Sequence, residues 1–246
     1  MDEAALALVL VLGIDTATWT ASVGISSAGK RIAERSLPTA GSHGFSLLPL
    51  IEATLGDAGL ETSSLQGIGV SIGPGSFTGL RIGLATAKGL AFAHRLPIAG
   101  VRTLPALAQA AVVEEGLVCP MLDARKAEVY TALVAMRGGR AEVVHAEVAV
   151  ALERWLPLIG SRPCTFIGDA VELVRPHADP LWTLLPFADF HSDGGVIADL
   201  AWRRVSAGQS DDVDILEPFY ARPSEAELKF SENSSNPMKS GSFHGN

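Results

Sequence analysis

The sequence predicts a two-lobed α/β fold with mixed sheets, in which the second lobe is reduced. Apolar runs of strand length alternate with helical patterns, as in a sheet with helical crossovers. A buried strand followed by an acidic residue occurs twice, at residues 9–14 before Asp15 and at residues 118–122 before Asp123, which indicates two related lobes. With 246 residues, of which 48% are apolar and 19% charged, the chain can bury the core that such a fold needs.

The first lobe is predicted to span residues 1–106. Turn residues around Asp15 and Gly29 separate its first three strands, and a short apolar run that ends in glycine is typical of a buried parallel strand. Helical spacing of leucine and isoleucine predicts the first helix. In chain order, the predicted elements are strands 9–14, 21–25 and 31–37, a helix over 45–55, a strand over 67–72, a helix over 80–95 and a strand over 97–101.

The second lobe is predicted to span residues 107–222, with the boundary near residues 103–116. Gly138 and Gly139 mark a hairpin turn, and Ser192 or Asp193 is suited to cap the last helix. In chain order, the predicted elements are strands 118–122, 128–136, 141–147 and 164–168 and a helix over 197–206.

Both ends of the chain are predicted to lie outside this core. The apolar run at residues 4–14 is shorter than the roughly 20 residues that span a bilayer, and acidic residues precede it, so we expect a strand with an N-terminal extension and no membrane span. Residues 223–246 are polar and aperiodic, which predicts a disordered tail. Cys119 and Cys164 have neither metal-site nor disulfide spacing, so a reducing, cytoplasmic setting is expected.

A glycine-rich segment connects the strand 67–72 to the helix 80–95. Backbone N–H groups and the positive end of a helix meet there, so the loop is suited to cradle an anion. It lacks the Lys-Ser/Thr of a P-loop and the third glycine of a dinucleotide fingerprint. The alternative is a tight turn that lets the helix pack closely on the sheet. The residues concerned are Gly73, Gly75, Ser76 and Gly79.

The helix that follows is apolar around almost its whole circumference, with Lys88 as its one mid-helix charge. Such a helix is buried on both sides. One side faces its own sheet, and the other meets a further helix, either within the lobe or on a partner chain. Gly83, Ala87 and Ala91 form a ridge of small residues suited to close helix approach.

Asp15 and Asp123 invite two interpretations. An acidic residue at the end of such a strand, here with Thr16 beside the first of them, resembles the Asp that two-lobed ATPases of the actin and sugar-kinase type use to manage metal-bound phosphates. The alternative is an Asx turn that caps its own backbone. The six histidines do not have the spacing of metal ligands, so no metal, no cofactor and no catalytic residue is predicted.

Five segments together resemble the TsaB (YeaZ) family of bacterial proteins, from about residue 10 to residue 222. They are LGIDTATWTASVGI, SHGFSLLPLIEATL, the highly specific GVSIGPGSFTGLRIGLATAKGLAFAHRLPIAGVRTL, LDARKAEVYTAL and EPFYAR. The resemblance implies the actin-like ATPase (ASKHA, ribonuclease H-like) fold. It also implies a role in making threonylcarbamoyladenosine on tRNA, next to the anticodon, as the partner of the TsaD transferase and the small ATPase TsaE.

The same resemblance indicates whether the chain is the catalytic subunit or its partner. TsaD-like proteins hold a metal with a His-x-x-x-His pair and a later Asp, and an ungapped match places Thr103 and Leu107 where the two histidines stand and Asp193 where the Asp stands. One carboxylate without two imidazoles makes no such site. The paired glycines that contact adenosine also have no clear counterpart. The resemblance therefore implies the fold without the chemistry.

The resemblance further implies that first-lobe helices bind the TsaD-like subunit as a heterodimer, that a homodimer forms through the same surface when the chain is alone, and that tRNA is bound only indirectly. We expect a charge at Ala87 or Leu48 to abolish co-purification and leave the fold intact. The expected interface residues are Leu48, Ile51, Leu55, Ile82, Gly83, Thr86, Ala87 and Leu90.

Two other classes of function stay open on the sequence. One is an enzyme acting alone, either an ASKHA-type ATPase using Asp15 and Asp123 or a glycoprotease-like metallopeptidase. The other is a protein-binding or tRNA-binding module outside this pathway. The net charge of −8 argues against a module that binds tRNA by itself, because phosphate contacts need clustered cations.

Overall fold

Two five-stranded sheets form the two lobes of the chain. The structure is a computed structural model, and it describes residues 9–38, 47–186 and 193–221. In the first sheet the strand order is β3-β2-β1-β4-β5. Its strands are β1 (Val11–Asp15), β2 (Thr20–Ser27), β3 (Lys30–Pro38), β4 (Gly67–Gly73) and β5 (Ile98–Arg102).

The second sheet repeats this order, read from the other edge, as β8-β7-β6-β9-β10. In both sheets the second strand is antiparallel to the first and to the third, and the last two strands run parallel to the first. The repetition confirms the two related lobes and the actin-like ATPase fold with ribonuclease H-like sheets. The strands are β6 (Gly116–Arg125), β7 (Glu128–Arg137), β8 (Arg140–Ala151), β9 (Cys164–Gly168) and β10 (Trp182–Pro186).

The described residues include five α-helices, of which α1 and α2 belong to the crossovers of the first sheet. The helix α2 begins three residues earlier than predicted, because the Ser76 hydroxyl caps it by accepting from the Gly79 N–H at 3.2 Å. The helices are α1 (Leu47–Asp57), α2 (Phe77–His94), α3 (Thr103–Ala110), α4 (Leu152–Ile159) and α5 (Gly194–Ser206), and single 3₁₀ turns lie at Thr62–Ser64, Val171–Leu173 and Arg175–His177.

The reduction of the second lobe concerns its helices and not its sheet. A full 18-residue helix, α2, connects β4 to β5, whereas only the two 3₁₀ turns at Val171–Leu173 and Arg175–His177 are found between β9 and β10. The sequence analysis missed α3, α4 and β10, and it placed a lobe boundary where α3 lies. Within the described residues, no helix combines the length and apolar character needed to cross a bilayer.

The helix α3 spans the predicted lobe boundary and packs on the second sheet, whereas α5, from the second lobe, packs on the first sheet. Leu104 and Leu107 of α3 pack in the second lobe, while Ile197 and Ala201 of α5 pack beneath Val11 in the first. The lobe ranges 1–106, 107–222 and 223–246 stay predictions, and these two helices show that packing crosses their shared boundary.

Glycines on the first sheet make room for α5. A Cβ atom on Gly13 would lie 2.1 Å from the Gly194 carbonyl oxygen, and one on Gly24 would lie 2.3 Å from the Gly195 nitrogen. The backbone of the helix therefore rests directly on the backbone of the sheet. Part of the high glycine content is explained by this close approach.

Candidate functional site

A cleft of about 510 Å³ lies between the two lobes. The turn after β1 and the glycine loop before α2 form one wall, and the ends of β6 and β9 form the other. The fold therefore brings together Asp123, Thr16 and the loop residues Gly75, Ser76 and Gly79, all of which line the cleft. Asp15 lies just beneath, as the last residue of β1.

The Asp15 carboxylate is buried and bound to its own surroundings. Only 2% of the residue is exposed. Its Oδ1 accepts hydrogen bonds from the Ala17 N–H at 2.8 Å and from the Ser71 hydroxyl at 2.8 Å. The first bond is the Asx turn of the alternative interpretation. A phosphate-handling role for Asp15 stays a prediction.

The glycine loop packs closely against the turn after β1. A Cβ on Gly75 would lie 2.3 Å from the Ala17 carbonyl oxygen, and one on Gly79 would lie 2.0 Å from the Thr16 carbonyl oxygen. The Ser76 N–H donates to the Ala17 carbonyl at 2.7 Å, and the Thr16 hydroxyl donates to the Gly79 carbonyl at 2.7 Å. These contacts favour the tight-turn interpretation, because the Ser76 N–H points into the protein. Gly73, at φ +114°, ends β4 with a conformation that L side chains rarely adopt.

Asp123 and Asp169 face each other on the second-lobe wall. The Asp123 Oδ1 accepts from the Arg125 N–H at 2.8 Å, and the Asp123 N–H donates to Asp169 Oδ1 at 2.8 Å. The other Asp169 oxygen accepts from Trp19 Nε1 at 3.1 Å, which joins the two lobes across the cleft. Burial raises the pKa of Asp169, with the nearby Asp123 charge adding to the effect. The sequence analysis did not select Asp169, although it follows a buried strand as Asp123 does.

The turn between β6 and β7 holds three consecutive non-glycine residues at positive φ. They are Arg125 at 65°, Lys126 at 55° and Ala127 at 60°. Such a conformation costs about 1–2 kcal/mol for each residue with a Cβ. The turn places the Arg125 guanidinium 5.3 Å from the centre of the Trp19 ring at the cleft. The sequence gives no signal for it, since glycine and asparagine are the usual residues at positive φ.

Four of the expected interface residues face the core of their own lobe. Ile51 and Leu55 of α1 are 3% and 4% exposed, and Ala87 of α2 is fully buried. Gly83 is also buried, because its Cα faces the Thr16 hydroxyl. In the folded lobe these residues offer almost no surface to a partner, and their part in the interface stays a prediction.

The other four expected interface residues are accessible. Leu48 is 51% exposed and Ile82 is 39% exposed, while Thr86 and Leu90 are half-buried. The outward side of α2 carries further exposed residues at alternating spacings of four and three, and we call this set the α2 outer face. It consists of Thr78, Ile82, Ala85, Gly89 and Phe92.

The small-residue ridge that faces outward is therefore a different one from the ridge predicted. Gly83, Ala87 and Ala91 are buried, whereas Ala85, Gly89 and Ala93 are exposed. Nothing lies within 4 Å of a Cβ built on Gly89. Phe92, at 78% exposure, ends the α2 outer face with a large apolar side chain.

The positions matched to TsaD metal ligands have structural roles in this chain. Thr103 and Leu107 are 0% and 2% exposed, and Leu107 packs in the second-lobe core. Asp193 caps α5 by accepting from the Val196 N–H at 2.9 Å, and it pairs with Arg31. The cap was one of the two predicted; Ser192, the other, lies outside the described residues.

Comparison with known proteins matches residues 38–230 to the family model described as TsaD: tRNA N6-adenosine threonylcarbamoyltransferase. The tRNA threonylcarbamoyladenosine biosynthesis protein TsaB of Bacillus subtilis is 31% identical over 229 residues, which are 91% of this chain and 98% of that protein. TsaB of Escherichia coli is 39% identical over 124 residues, 50% of this chain and 53% of that protein.

Solved structures agree with the sequence matches. YeaZ from Pseudomonas aeruginosa superposes with a TM-score of 0.77 at 26% identity, covering 86% of this chain and 99% of that one. A second solved structure from Pseudomonas aeruginosa, described as a protein with similarity to peptidase YEAZ, gives a TM-score of 0.77 at 27% identity, covering 87% of this chain and 100% of that one. The chain therefore belongs to the TsaB (YeaZ) family of tRNA threonylcarbamoyladenosine biosynthesis proteins, within the wider family that the TsaD model describes.

Proposed function

We propose that the chain is the non-catalytic partner of a TsaD-like threonylcarbamoyltransferase in the synthesis of threonylcarbamoyladenosine on tRNA. The observation that carries the proposal is the α2 outer face, an exposed stripe that runs from Thr78 to Phe92 and includes the large apolar side chains of Ile82 and Phe92. A soluble domain that leaves such a stripe open has a surface suited to a partner. The assignment to the synthesis of threonylcarbamoyladenosine rests on the family to which the chain belongs.

The spacing of the stripe favours a helix as the element that binds it. Residues that alternate at four and three positions form the seam of coiled-coil-like packing, in which two helices cross at about 20°. Burial of such a seam contributes about 25 cal/mol per Å² of apolar area. Leu48 on α1 extends the apolar surface, since α1 and α2 are in contact.

Gly89 supports close approach of a partner helix. A glycine in the middle of a helix lowers stability by about 0.5–1 kcal/mol relative to alanine. Among the described residues, no atom lies within 4 Å of a Cβ built on Gly89, so packing within the chain does not require glycine at this position. A partner backbone that passes over Gly89 accounts for its presence.

Three features support a role without catalysis by this chain. Thr103 and Leu107 are buried where TsaD-like proteins have histidines, and Asp193 is engaged as a helix cap. The net charge of −8 disfavours direct tRNA binding, so tRNA is reached through the partner. The proposal extends to a cytoplasmic location, to a TsaE-like ATPase as a further member of the complex, and to a homodimer through α1 and α2 when the chain is alone.

Gly89 offers a test that separates stability from binding. We expect Gly89→Ala and Gly89→Leu each to raise the free energy of unfolding of the isolated chain by about 0.5–1 kcal/mol, because both residues favour helix. We expect Gly89→Leu alone to weaken binding to the TsaD-like subunit of the same organism, by about tenfold or more, because its side chain blocks the helix approach. Urea unfolding and titration calorimetry measure the two effects, and Gly89→Ala is the matched control. Unchanged affinity of the leucine variant would place the partner elsewhere.

A stand-alone ATPase is the second candidate, favoured by the cleft between the lobes with Asp123 on its wall. We expect no binding of ATP with Mg²⁺ by calorimetry and no phosphate release from the isolated chain, because the glycine loop packs on the turn after β1. Micromolar binding with turnover would support the ATPase. Stoichiometric zinc or iron in the purified chain, which we do not expect, would support the metallopeptidase.

A further inference from the structure

An exposed arginine, Arg81, is held in a fixed position at the edge of the α2 outer face. Its guanidinium carbon lies 3.9 Å from the centre of the Phe77 ring, one helical turn earlier. Its Nε donates a hydrogen bond to the Tyr220 hydroxyl at 3.3 Å. The rings of Phe77 and Tyr220 also pack on each other, with centres 5.6 Å apart. Arg81 thus has an aromatic ring beneath it and a hydrogen-bond anchor beside it.

The segment that carries Tyr220 is itself fixed to the first lobe. The Phe219 N–H donates to the Ile72 carbonyl at 2.6 Å, and the Arg102 guanidinium lies 3.1 Å from the centre of the Phe219 ring. Lys88 of α2 donates to the Asp214 carbonyl at 3.2 Å. Tyr220 is therefore a firm support for Arg81, although 40% of the residue is exposed.

Arg81 has no carboxylate partner among the residues that the structure describes. Arg31, Arg35 and Arg102, by contrast, form ion pairs with Asp or Glu. The Tyr220 hydroxyl binds the Nε of Arg81. Among the residues that the structure describes, the two terminal amino groups of the Arg81 guanidinium have no acceptor. Their N–H groups are therefore available to donate to a further ligand.

A preordered guanidinium suits a carboxylate. Its planar fork makes two parallel hydrogen bonds to the two oxygens, which an ammonium group does not. A free arginine side chain loses about 2 kcal/mol of rotamer entropy when it is fixed, and the contacts with Phe77 and Tyr220 have already removed part of that freedom. On a chain with a net charge of −8, a cation beside an apolar stripe also favours one register of an acidic partner.

We propose that Arg81 receives a carboxylate of the TsaD-like subunit in a two-bonded ion pair at the edge of the α2 outer face, with Phe77 and Tyr220 as positioning residues. The inference rests on the proposed function, because the same subunit covers the face. It adds a determinant of specificity to a surface that is otherwise apolar.

The test is titration of the full-length chain with the TsaD-like subunit of the same organism. We expect Arg81→Lys to weaken binding about 5- to 20-fold, because lysine keeps the charge and loses the fork, and Arg81→Glu to weaken it at least about 100-fold. Tyr220→Phe, which keeps the ring and removes the hydroxyl, should weaken binding about threefold through faster dissociation. Arg140→Glu on β8 is the control: it makes the same change of charge on the other lobe and should leave affinity within about twofold.

A charge exchange identifies the partner group. Asp and Glu residues on the partner's helices are replaced by arginine one at a time, and one replacement should restore binding of Arg81→Glu. Wild-type affinity of Arg81→Lys and Arg81→Glu, with loss of binding in Ile82→Asp, would overturn the inference and leave the proposed function standing. Absence of binding by the wild-type chain would overturn both. If Arg81→Lys weakens binding but Tyr220→Phe binds with wild-type affinity, the positioning role of Tyr220 is overturned.

Discussion

An aspartate at Ala87 is expected to destabilise the chain strongly, whereas an aspartate at Ala85 is expected to leave its stability unchanged and remove partner binding. The two alanines lie two residues apart on α2 and face opposite sides. Ala87 is 0% exposed and belongs to the first-lobe core together with Leu84 and Val70. Ala85 is exposed on the α2 outer face.

The size of the Ala87 effect follows from burial of a charge without a partner. An isolated carboxylate in an apolar core either stays ionised at a high cost or takes up a proton and still lacks hydrogen bonds. Strained packing adds to this, since the surrounding core must move to admit a carboxyl group of three heavy atoms. We expect a loss of about 3–5 kcal/mol, a large part of the 5–15 kcal/mol that stabilises a typical domain.

Urea unfolding followed by circular dichroism measures the Ala87 effect, and size-exclusion co-elution with the TsaD-like subunit measures binding by Ala85→Asp. Ala87→Ser serves as the control of similar volume and should lose much less stability. A stable Ala87→Asp that fails to bind would restore the original expectation that Ala87 belongs to the interface. A folded Ala85→Asp that co-elutes like the wild type would remove the α2 outer face from the interface.

The sequence predicted α2 and its unusual apolar character, but it did not predict which side faces outward. Two ridges of small residues run along this helix, Gly83-Ala87-Ala91 and Ala85-Gly89-Ala93, and both have the four-residue spacing that allows close approach. The contact of Thr16 with Gly83 decides between them. That contact joins residues 67 positions apart in the chain, and periodicity carries no information about it.

The last helix shows the same limit. The pattern over 197–206 predicted a helix, and α5 is found there. Its place on the first sheet could not be read from its own residues, because an apolar stripe fits either lobe. The glycines at positions 13, 24 and 69 were the relevant signal, since three glycines on adjacent strands allow a helix backbone to lie directly on the sheet.

The sequence predicted two acidic positions at the cleft but not the cleft itself. The strand ends at Asp15 and Asp123 were found from apolar runs followed by an acidic residue. Asp169 follows the same pattern after β9, but the sequence analysis did not select it. The positive φ angles at Arg125, Lys126 and Ala127 depend on the tertiary contacts of the turn, and residue preference argues against them.

Glu34 on β3 is expected to make the stability of the chain fall as the pH rises from about 5 to about 7. Its side chain is 15% exposed, pairs with Arg31 and accepts from the Ser22 hydroxyl at 3.1 Å. Burial, followed by the nearby charge of Asp193, raises the pKa of Glu34 from 4.5 to about 7. The unfolded chain therefore releases this proton at a lower pH than the folded chain does.

The sign of the pH effect follows from proton linkage. Between pH 4.5 and 7 the folded chain binds more protons at Glu34 than the unfolded chain does, so the free energy of unfolding decreases with pH over that window. The stabilisation is complete below the pKa of the unfolded chain, 4.5, and is lost above the pKa of the folded chain, about 7. A full shift of this size corresponds to about 3 kcal/mol, and partial access to water reduces the expected effect to about 2 kcal/mol.

Glu34→Gln removes the titration and keeps the side-chain shape. We expect this variant to be more stable than the wild type by about 2 kcal/mol at pH 8 and similar to it at pH 5, because glutamine stays neutral at both. Urea unfolding at four pH values between 5 and 8 gives the two curves. Glu172→Gln is the control, since the exposed Glu172 pairs with Arg175 and its pKa is lowered, which places its titration below this range. Parallel curves for Glu34→Gln and the wild type would show that another group is responsible for the slope, and a steeper fall in the variant would contradict the sign.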